Sequence, residues 1–488
     1  MRDTGYPMVT AELVRFVAET RYDDLPQEVI ELSRHFILDS IGSSYGGIGT
    51  SIGQIAQALV RAFGGHPQAT ILGTGERTSS AMAAYVNAKT ANALDFDDAH
   101  LNWLHIGPTL VPAALAVAQA ERASGASLIL AVAVGYDVSA RLGLAMGMPF
   151  TLDEQGGVLV SPVVGTGWKV FAAAIAAAVL LRLNPEQIRQ TIAIAGANAP
   201  IPSTRKWELH PDRPLPLQKT MDVGWTAQAG VAAAYLAREG ATGFHDILDG
   251  ELGFWRMNGS PRFDEAIVLQ DLGKQWHILD AGMKPYPSCR HLHVASDCFR
   301  SILEKEKLRP EEIQQVRVGL SPMSIRPTWT NPQPRNMVET EFSLPHSLAM
   351  LAFGVPCGPA WHTDDKRNEQ KYRDFRDRVV MYADPQSRDA MLAQYPGFYR
   401  ELPAEVEVRT ARGSFVSSAK AARGDAWHAG YAMSQAEFLE KFRNNAAPSV
   451  AFNPGRAASL EDLLSKLLAL DALADTSELH PMFAAVAG

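Results

Sequence analysis

Eleven residues near the first fifth of the chain hold three carboxylates and two histidines: Asp95-Phe96-Asp97-Asp98-Ala99-His100, then His105-Ile106-Gly107-Pro108. A carboxylate beside an imidazole fixes its tautomer and lets it act as acid or base near neutral pH. Gly107-Pro108 would turn the chain tightly and start a helix, holding His105 rigidly. The same residue types also serve as helix-capping aspartates in a solvated loop, so both readings stand at this point. Metal binding is a third option, although no recognised ligand spacing such as H-E-x-x-H is present, and no metal is expected.

A second cluster runs Met283-Lys284-Pro285-Tyr286-Pro287-Ser288-Cys289-Arg290-His291-Leu292-His293. Two prolines stiffen a segment whose Lys284 and Arg290 suit carboxylate recognition through charge-assisted hydrogen bonds. A basic connecting loop would look the same. Cys289 is a possible nucleophile, but a lone cysteine is more often buried packing. A third candidate, Lys219, leads through Asp222-Val223-Gly224 into an apolar helix, where it is either a solvated first-turn residue or a carboxylate clamp. Arg205, Lys206, His210 and Arg213 make the stretch before it basic and proline-rich.

The elements that carry these residues change character along the chain. Up to about residue 265 the pattern is helical. Asp24-Leu25-Pro26 predicts a helix start with Asp24 as N-cap, Val29, Leu32, Phe36 and Ile37 recur at helical spacing, and Gly46-Gly47 stops the run. Asn184-Pro185-Glu186-Gln187 has capping-box spacing. Alanine-rich helices are expected at Pro112 to Ala120, Leu128 to Val138 and Ala227 to Ala237. After Asp264, Val316 to Leu320, Val379 to Tyr382 and Ala404 to Thr410 read as strands, with a hairpin turn at Ala411-Arg412-Gly413. Helical signals return at Ser434 to Phe442 and Leu460 to Leu470. The expected fold is mostly α with an inserted α+β domain: residues 1–265 and 426–488 form one helical domain, and 266–425 a smaller lid.

Composition narrows the partners. Of 488 residues, 45 are Lys or Arg and 53 Asp or Glu, a net charge of −8, so nothing draws the whole chain to nucleic acid or anionic lipid. An anionic substrate would need a local basic cluster. Three scattered cysteines favour a reducing, cytoplasmic setting, and MRDTGYPMVT lacks the apolar core of a secretory signal. The most apolar run, Val170 to Leu181, is shorter than the ~20 residues a membrane span needs. With no Gly-rich dinucleotide turn, phosphate loop or nucleophile elbow, nucleotide cofactors are not expected.

Four blocks then resemble the MmgE/PrpD superfamily in order: Asp95-Phe96-Asp97-Asp98…His105 with Val111-Pro112-Ala113-Ala114-Leu115-Ala116; Lys219…Gly224…Gly230; Lys284-Pro285-Tyr286-Pro287-Ser288-Cys289…His293; and Glu339-Thr340-Glu341-Phe342-Ser343-Leu344-Pro345-His346. The resemblance implies a helical domain from both chain ends, a lid, a cleft between them and a homodimer. It also implies action on a small polycarboxylate next to a carboxylate, without metal or organic cofactor. By position it makes His105, Asp95, Lys219 and Lys284 the catalytic set, with Asp95 setting the tautomer of His105. Arg290, His293, Asp98, His100 and His291 are expected around the substrate. The leading expectation is a hydro-lyase of the 2-methylcitrate dehydratase kind. Its alternatives are an isomerase or epimerase, a cis-aconitate-type decarboxylase, and an inactive member that only binds. The chain departs from the pattern in having no histidine within 151–183, where Val163 lies near the family's second one, and in Ala99 and Ile106.

Overall fold

The computed structural model describes residues 8–101, 105–147, 150–153, 158–160, 165–201, 209–219, 222–395, 397–452 and 455–486. Its principal elements, in chain order, are α1 (Gln27–Gly47), α2 (Ser80–Ala91), β1 (Asp98–His100), α3 (Gly107–Ala120), α4 (Gly125–Met146), α5 (Val170–Leu180), α6 (Pro185–Ala197), α7 (Val223–Arg238), β2 (Ala281–Met283), α8 (His293–Glu306), β3 (Ile313–Leu320), α9 (Met337–Phe342), α10 (Leu344–Ala352), β4 (Val379–Ala383), β5 (Ala404–Thr410), β6 (Gly413–Ala419), α11 (Gln435–Phe452) and α12 (Arg456–Leu468). The architecture is mostly helical with a small α+β part.

Small residues let the helices of the body approach one another closely. A Cβ on Gly47 would lie 2.0 Å from the Thr90 carbonyl, so α1 and α2 meet at backbone distance. A Cβ on Gly230 of α7 would press on Ala173 of α5, which is alanine-rich and nearly all buried. The box at Asn184 forms as expected: its carboxamide oxygen accepts from the Gln187 N–H at 3.0 Å, and the Gln187 side chain accepts from the Asn184 N–H at 3.1 Å. The expected start of α1 needs correction. Pro26 is the N-cap, and Asp24 closes a 3-10 turn in which its carboxylate accepts the Arg21 N–H at 2.8 Å.

Among the described residues one helix, α4, is long and apolar enough to cross a membrane, but 89% of its apolar window is buried in the fold. At its centre Arg141 and Asp137 are both fully buried and paired at 2.7 Å. Asp137 also accepts the His277 N–H at 2.8 Å, and the Arg141 guanidinium reaches the carbonyls of Val268, Gln270 and Gln275 at 3.1, 2.6 and 2.7 Å. A guanidinium with this many fixed acceptors meets the requirement for a buried charge. It thereby anchors residues 268–277 just ahead of β2.

In the α+β part a four-stranded sheet runs β6-β5-β3-β4, with β3 and β4 parallel and the other pairs antiparallel. Alternation along β5 turns Ala404, Val406, Val408 and Thr410 inward, and α8 covers that face with Val294, Cys298, Phe299 and Ile302. Thr410 pairs with Gly413, so the turn has two residues, with Gly413 at φ 128°. The chain then returns to the helical body: Phe442 of α11 packs on Tyr45 and against Gly42 of α1.

One short ladder joins the segments that carry the chemistry. β1 and β2 are antiparallel with Asp98 opposite Met283, which sets Lys284 beside the acidic run. Leu94 and Phe96 pack into the core of the α+β part, whereas Ala281 and Met283 pack into the helical core. The acidic segment therefore lies on the seam between the two.

Candidate active site

Asp95 is the hub. It follows the C-terminus of α2 with φ 51°, a left-handed conformation that aspartate tolerates better than most side chains. Its Oδ2 accepts from Lys284 Nζ at 2.8 Å, and its carbonyl accepts from the same nitrogen at 2.9 Å. Its Oδ1 lies 3.5 Å from Lys219 Nζ and 3.8 Å from His105 Nε2. Two lysines and an imidazole that are far apart in sequence thus converge on one buried carboxylate. Burial would raise the Asp95 carboxyl, but Lys284, then Lys219 and His105, overcome that and hold it well below the usual carboxylate range.

The residue that orients His105 is Asp97. Its Oδ2 lies 2.5 Å from His105 Nδ1, while its Oδ1 accepts from the Asn92 amide at 3.1 Å. The expectation that Asp95 sets the tautomer is therefore corrected: Asp97 serves Nδ1, and Asp95 faces Nε2 at longer range. Burial acts to raise the Asp97 carboxyl, and the His105 charge and hydrogen bond outweigh it, leaving it lowered.

Asp98 points away from this pair. Its Oδ1 accepts the Gly107 N–H at 2.9 Å and its Oδ2 accepts the Tyr136 hydroxyl at 3.0 Å, so it caps α3 instead of meeting a substrate. Burial, reinforced by Asp97, pushes its carboxyl up to about 8. Gly107 is required there, because a Cβ would sit 2.5 Å from Asp98 Oδ1.

Lys219, also left-handed at φ 64°, donates to the carbonyl of Asn92, the C-cap of α2, at 2.6 Å, where the helix end favours a cation. It lies 2.7 Å from Glu341 Oε2. Burial would lower its ammonium, but Glu341 and Asp95 raise it. Glu341 was not among the site candidates, although its Glu-Thr-Glu block carried the family resemblance. Two further buried cations also escaped sequence reading. Lys441 of α11 pairs with Asp39 at 2.6 Å and bonds the Phe96 carbonyl, and the only signal was a carboxylate inside the apolar run Phe36-Ile37-Leu38-Asp39. Lys169, at the start of the apolar run Val170 to Leu181, is buried. Desolvation brings it to about 7 against the opposing fields of Asp97 and Asp98.

The remaining candidates lie elsewhere. Arg290 is committed to Asp425 at 2.9 Å and stacks on Trp427. His293 is buried, bonded to the Ser288 carbonyl at 3.1 Å, and burial holds it well below its ordinary range. His291 packs on Trp329, and burial lowers it to about 3. Cys289 takes the Trp329 N–H at 3.3 Å and burial raises its thiol to about 11, which does not favour a thiolate nucleophile. His210 is exposed, while Arg205, Lys206 and Val163 lie outside the described residues. His100 sits with His277 and Asp280 in a group whose donor atoms lie within 4.8 Å of one another; Asp95, Asp97 and His105 form another. In the second group Asp95 already faces two buried lysines, which disfavours an added metal ion there, whereas Asp280 meets only the exposed Arg400 at 3.3 Å. A cavity of 1120 Å³ lined by Leu215, Leu217, Met337 and His362 adjoins the cluster, but Asp95, His105, Lys219 and Lys284 do not line it.

The MmgE/PrpD N-terminal domain model matches residues 11–265, and the MmgE/PrpD C-terminal domain model matches residues 286–466. The chain is 25% identical to the cis-aconitate decarboxylase of Homo sapiens, over 96% of this chain and 93% of that one. It is 27% identical to a cis-aconitate decarboxylase-like protein of Aspergillus oryzae, over 68% and 70% of the two chains. With the cis-aconitate decarboxylase of Aspergillus terreus it shares 24% identity over 72% of each.

Proposed function

The chain belongs to the MmgE/PrpD family, and from that premise we propose that it is a lyase that breaks a bond next to a carboxylate of a small polycarboxylic acid. The observation that carries this reading is the convergence of Lys219, Lys284 and His105 on Asp95. Lys284 spends two hydrogen bonds on Asp95 and keeps a third N–H for a substrate carboxylate. When a bond at the adjacent carbon breaks, charge spreads onto that carboxylate as an enediolate, and ammonium groups fixed in a dry site stabilise it more than the ground state.

The relatives support decarboxylation over the dehydration expected from the sequence. Asp97 at Nδ1 and Asp95 facing Nε2 hold His105 in place for proton transfer. In decarboxylation the electron pair of the broken C–C bond stays on the substrate carbon, carbon dioxide leaves, and His105 supplies the proton that completes the product.

The test is to incubate the purified chain with di- and tricarboxylic acids in D₂O and follow products by NMR and mass spectrometry. Release of carbon dioxide with deuterium at the carbon that lost it supports the reading. Loss of water points to a hydro-lyase, and exchange without loss points to an isomerase. His105→Ala should lower turnover by about 10²–10⁴ with the fold retained. Near-normal turnover in that variant removes His105 from its role.

A further inference from the structure

Lys219 already meets one hydrogen-bond acceptor and two carboxylates. Its ammonium has three protons, and the Asn92 carbonyl, Glu341 Oε2 and Asp95 Oδ1 stand at 2.6, 2.7 and 3.5 Å. A substrate carboxylate can dock there only by taking the place of one of them. The Asn92 carbonyl is fixed by the end of α2, and Asp95 is held by Lys284. Glu341 is the exchangeable partner, a fully buried carboxyl on the short helix α9 whose backbone is fixed by the Cys289 N–H at 2.8 Å. Among the described residues neither of its oxygens accepts an aligned hydrogen bond, and Lys219 meets it as an ion pair alone. A buried anion compensated by charge without aligned donors accepts a proton readily.

We propose that Glu341 stands in for a substrate carboxylate on Lys219 and acts as a proton-linked gate: a polycarboxylate occupies Lys219 once Glu341 has taken up a proton and ceded the ammonium. The proposal rests on the polycarboxylate reading above and makes Glu341 a positioning residue. The groups that face it are fixed by several elements. Lys219 lies ahead of α7, Asp95 follows α2, and Lys284 follows β2. His362 lies in the turn 359–362, bonded to Thr340 at 2.7 Å and held neutral by burial, which takes it to about 3. On its own helix Glu339 is paired with Arg335 at 2.8 Å. Burial raises the Glu341 carboxyl to about 8; Lys219 and Lys284 oppose that and Asp95 reinforces it. The proton balance is simple, since one proton from solvent converts the carboxylate to the acid and Lys219 keeps its own.

Affinity for a polycarboxylate should therefore be flat below about pH 8 and weaken roughly tenfold per unit above it, with binding near pH 9 taking up about one proton. The probe is tricarballylate, which has neither a double bond nor a hydroxyl to lose. Calorimetric titration of the whole chain from pH 6 to 9.5, in buffers of different ionisation enthalpy, reads both affinity and proton uptake. Glu341→Gln should abolish the uptake and flatten the profile through pH 9. Should that variant fold poorly, Asp98→Asn, which removes the other carboxyl raised to about 8, decides the matter: uptake that survives it belongs to Glu341, and uptake that vanishes with it overturns the gate. Binding without uptake, or a slope retained in Glu341→Gln, overturns the gate and leaves the polycarboxylate reading standing. Absence of binding at every pH removes that reading, and the gate with it.

Discussion

Replacing Asp97 with asparagine separates the two carboxylates that flank His105. The substitution keeps shape and leaves the Asn92 contact one partner, but it removes the charge 2.5 Å from Nδ1. A hydrogen bond to a charged group contributes about 1.5–3 kcal/mol beyond its neutral counterpart's absence. If that stabilisation is specific to the imidazolium acting as donor, turnover should fall by about 10- to 150-fold, at 1.36 kcal/mol per decade. An amide can also present its NH₂ to Nδ1, which would lock the opposite tautomer and deepen the loss. The assay is kcat on the acid identified by the product panel, together with ¹⁵N NMR of the His105 ring. The expected result is a slower enzyme that still folds, melts somewhat lower because a buried charged hydrogen bond is lost, and shows an altered ring signal. If Asp97→Asn turns over within twofold of the parent while Asp95→Asn abolishes the His105 signal of a fixed Nδ1–H, the assignment is reversed and the reasoning fails.

Three further outcomes follow from the same geometry. Gly107→Ala puts a methyl 2.5 Å from Asp98 Oδ1 and should destabilise the fold by about 1–3 kcal/mol, read as a lower urea midpoint; an unchanged midpoint would show that the cap is not needed. Asp98 favours its protonated form when folded, so its contribution is complete below the unfolded value near 4 and is lost as pH rises through about 8. Asp98→Asn mimics the neutral acid and should melt higher than the parent at pH 8, by at least the ~1.4 kcal/mol that one pK unit represents, and parallel Tm profiles across pH 4–8 contradict this. Lys284→Met strips the 2.8 Å ion pair from buried Asp95 and should cost about 3–5 kcal/mol. Because Lys284 is what chiefly holds Asp95 down against burial, the carboxyl of the folded variant takes up a proton at higher pH than the parent's, and the gap should narrow as pH falls through that range. A gap independent of pH would sever Lys284 from Asp95.

Much of this was legible because it depends on local pattern. The period-2 run Ala404 to Thr410 became β5, and the alanine-rich stretches became buried helices whose ends lie further out than the apolar core alone indicates. At Asp24 the local signal misled: a capping residue two positions early satisfied a turn, and Pro26 took the boundary. Within the site, Asp95, His105, Lys219 and Lys284 stood out as unusual charges at stiff places in the chain. The partition between Asp95 and Asp97 did not, because residues two apart in a non-regular segment point wherever tertiary contacts send them. Arg290 looked like an anion binder until Asp425, 135 positions later, claimed it. Glu341 and Lys169 were invisible for the same reason. A lone charge near an apolar run reads as solvated unless the burial that surrounds it is known.

The carbonyls gripped by Arg141 have a practical consequence for anyone wishing to dissect the molecule. A fragment ending at residue 265 would carry Arg141 and Asp137 but none of the peptide oxygens from 268 to 275 that complete them, and so would strand a guanidinium in oil. The linker ahead of β2 is thus a keystone for the first half of the chain, and the two halves should be rescued by co-expression only when 266–280 travels with the amino-terminal piece.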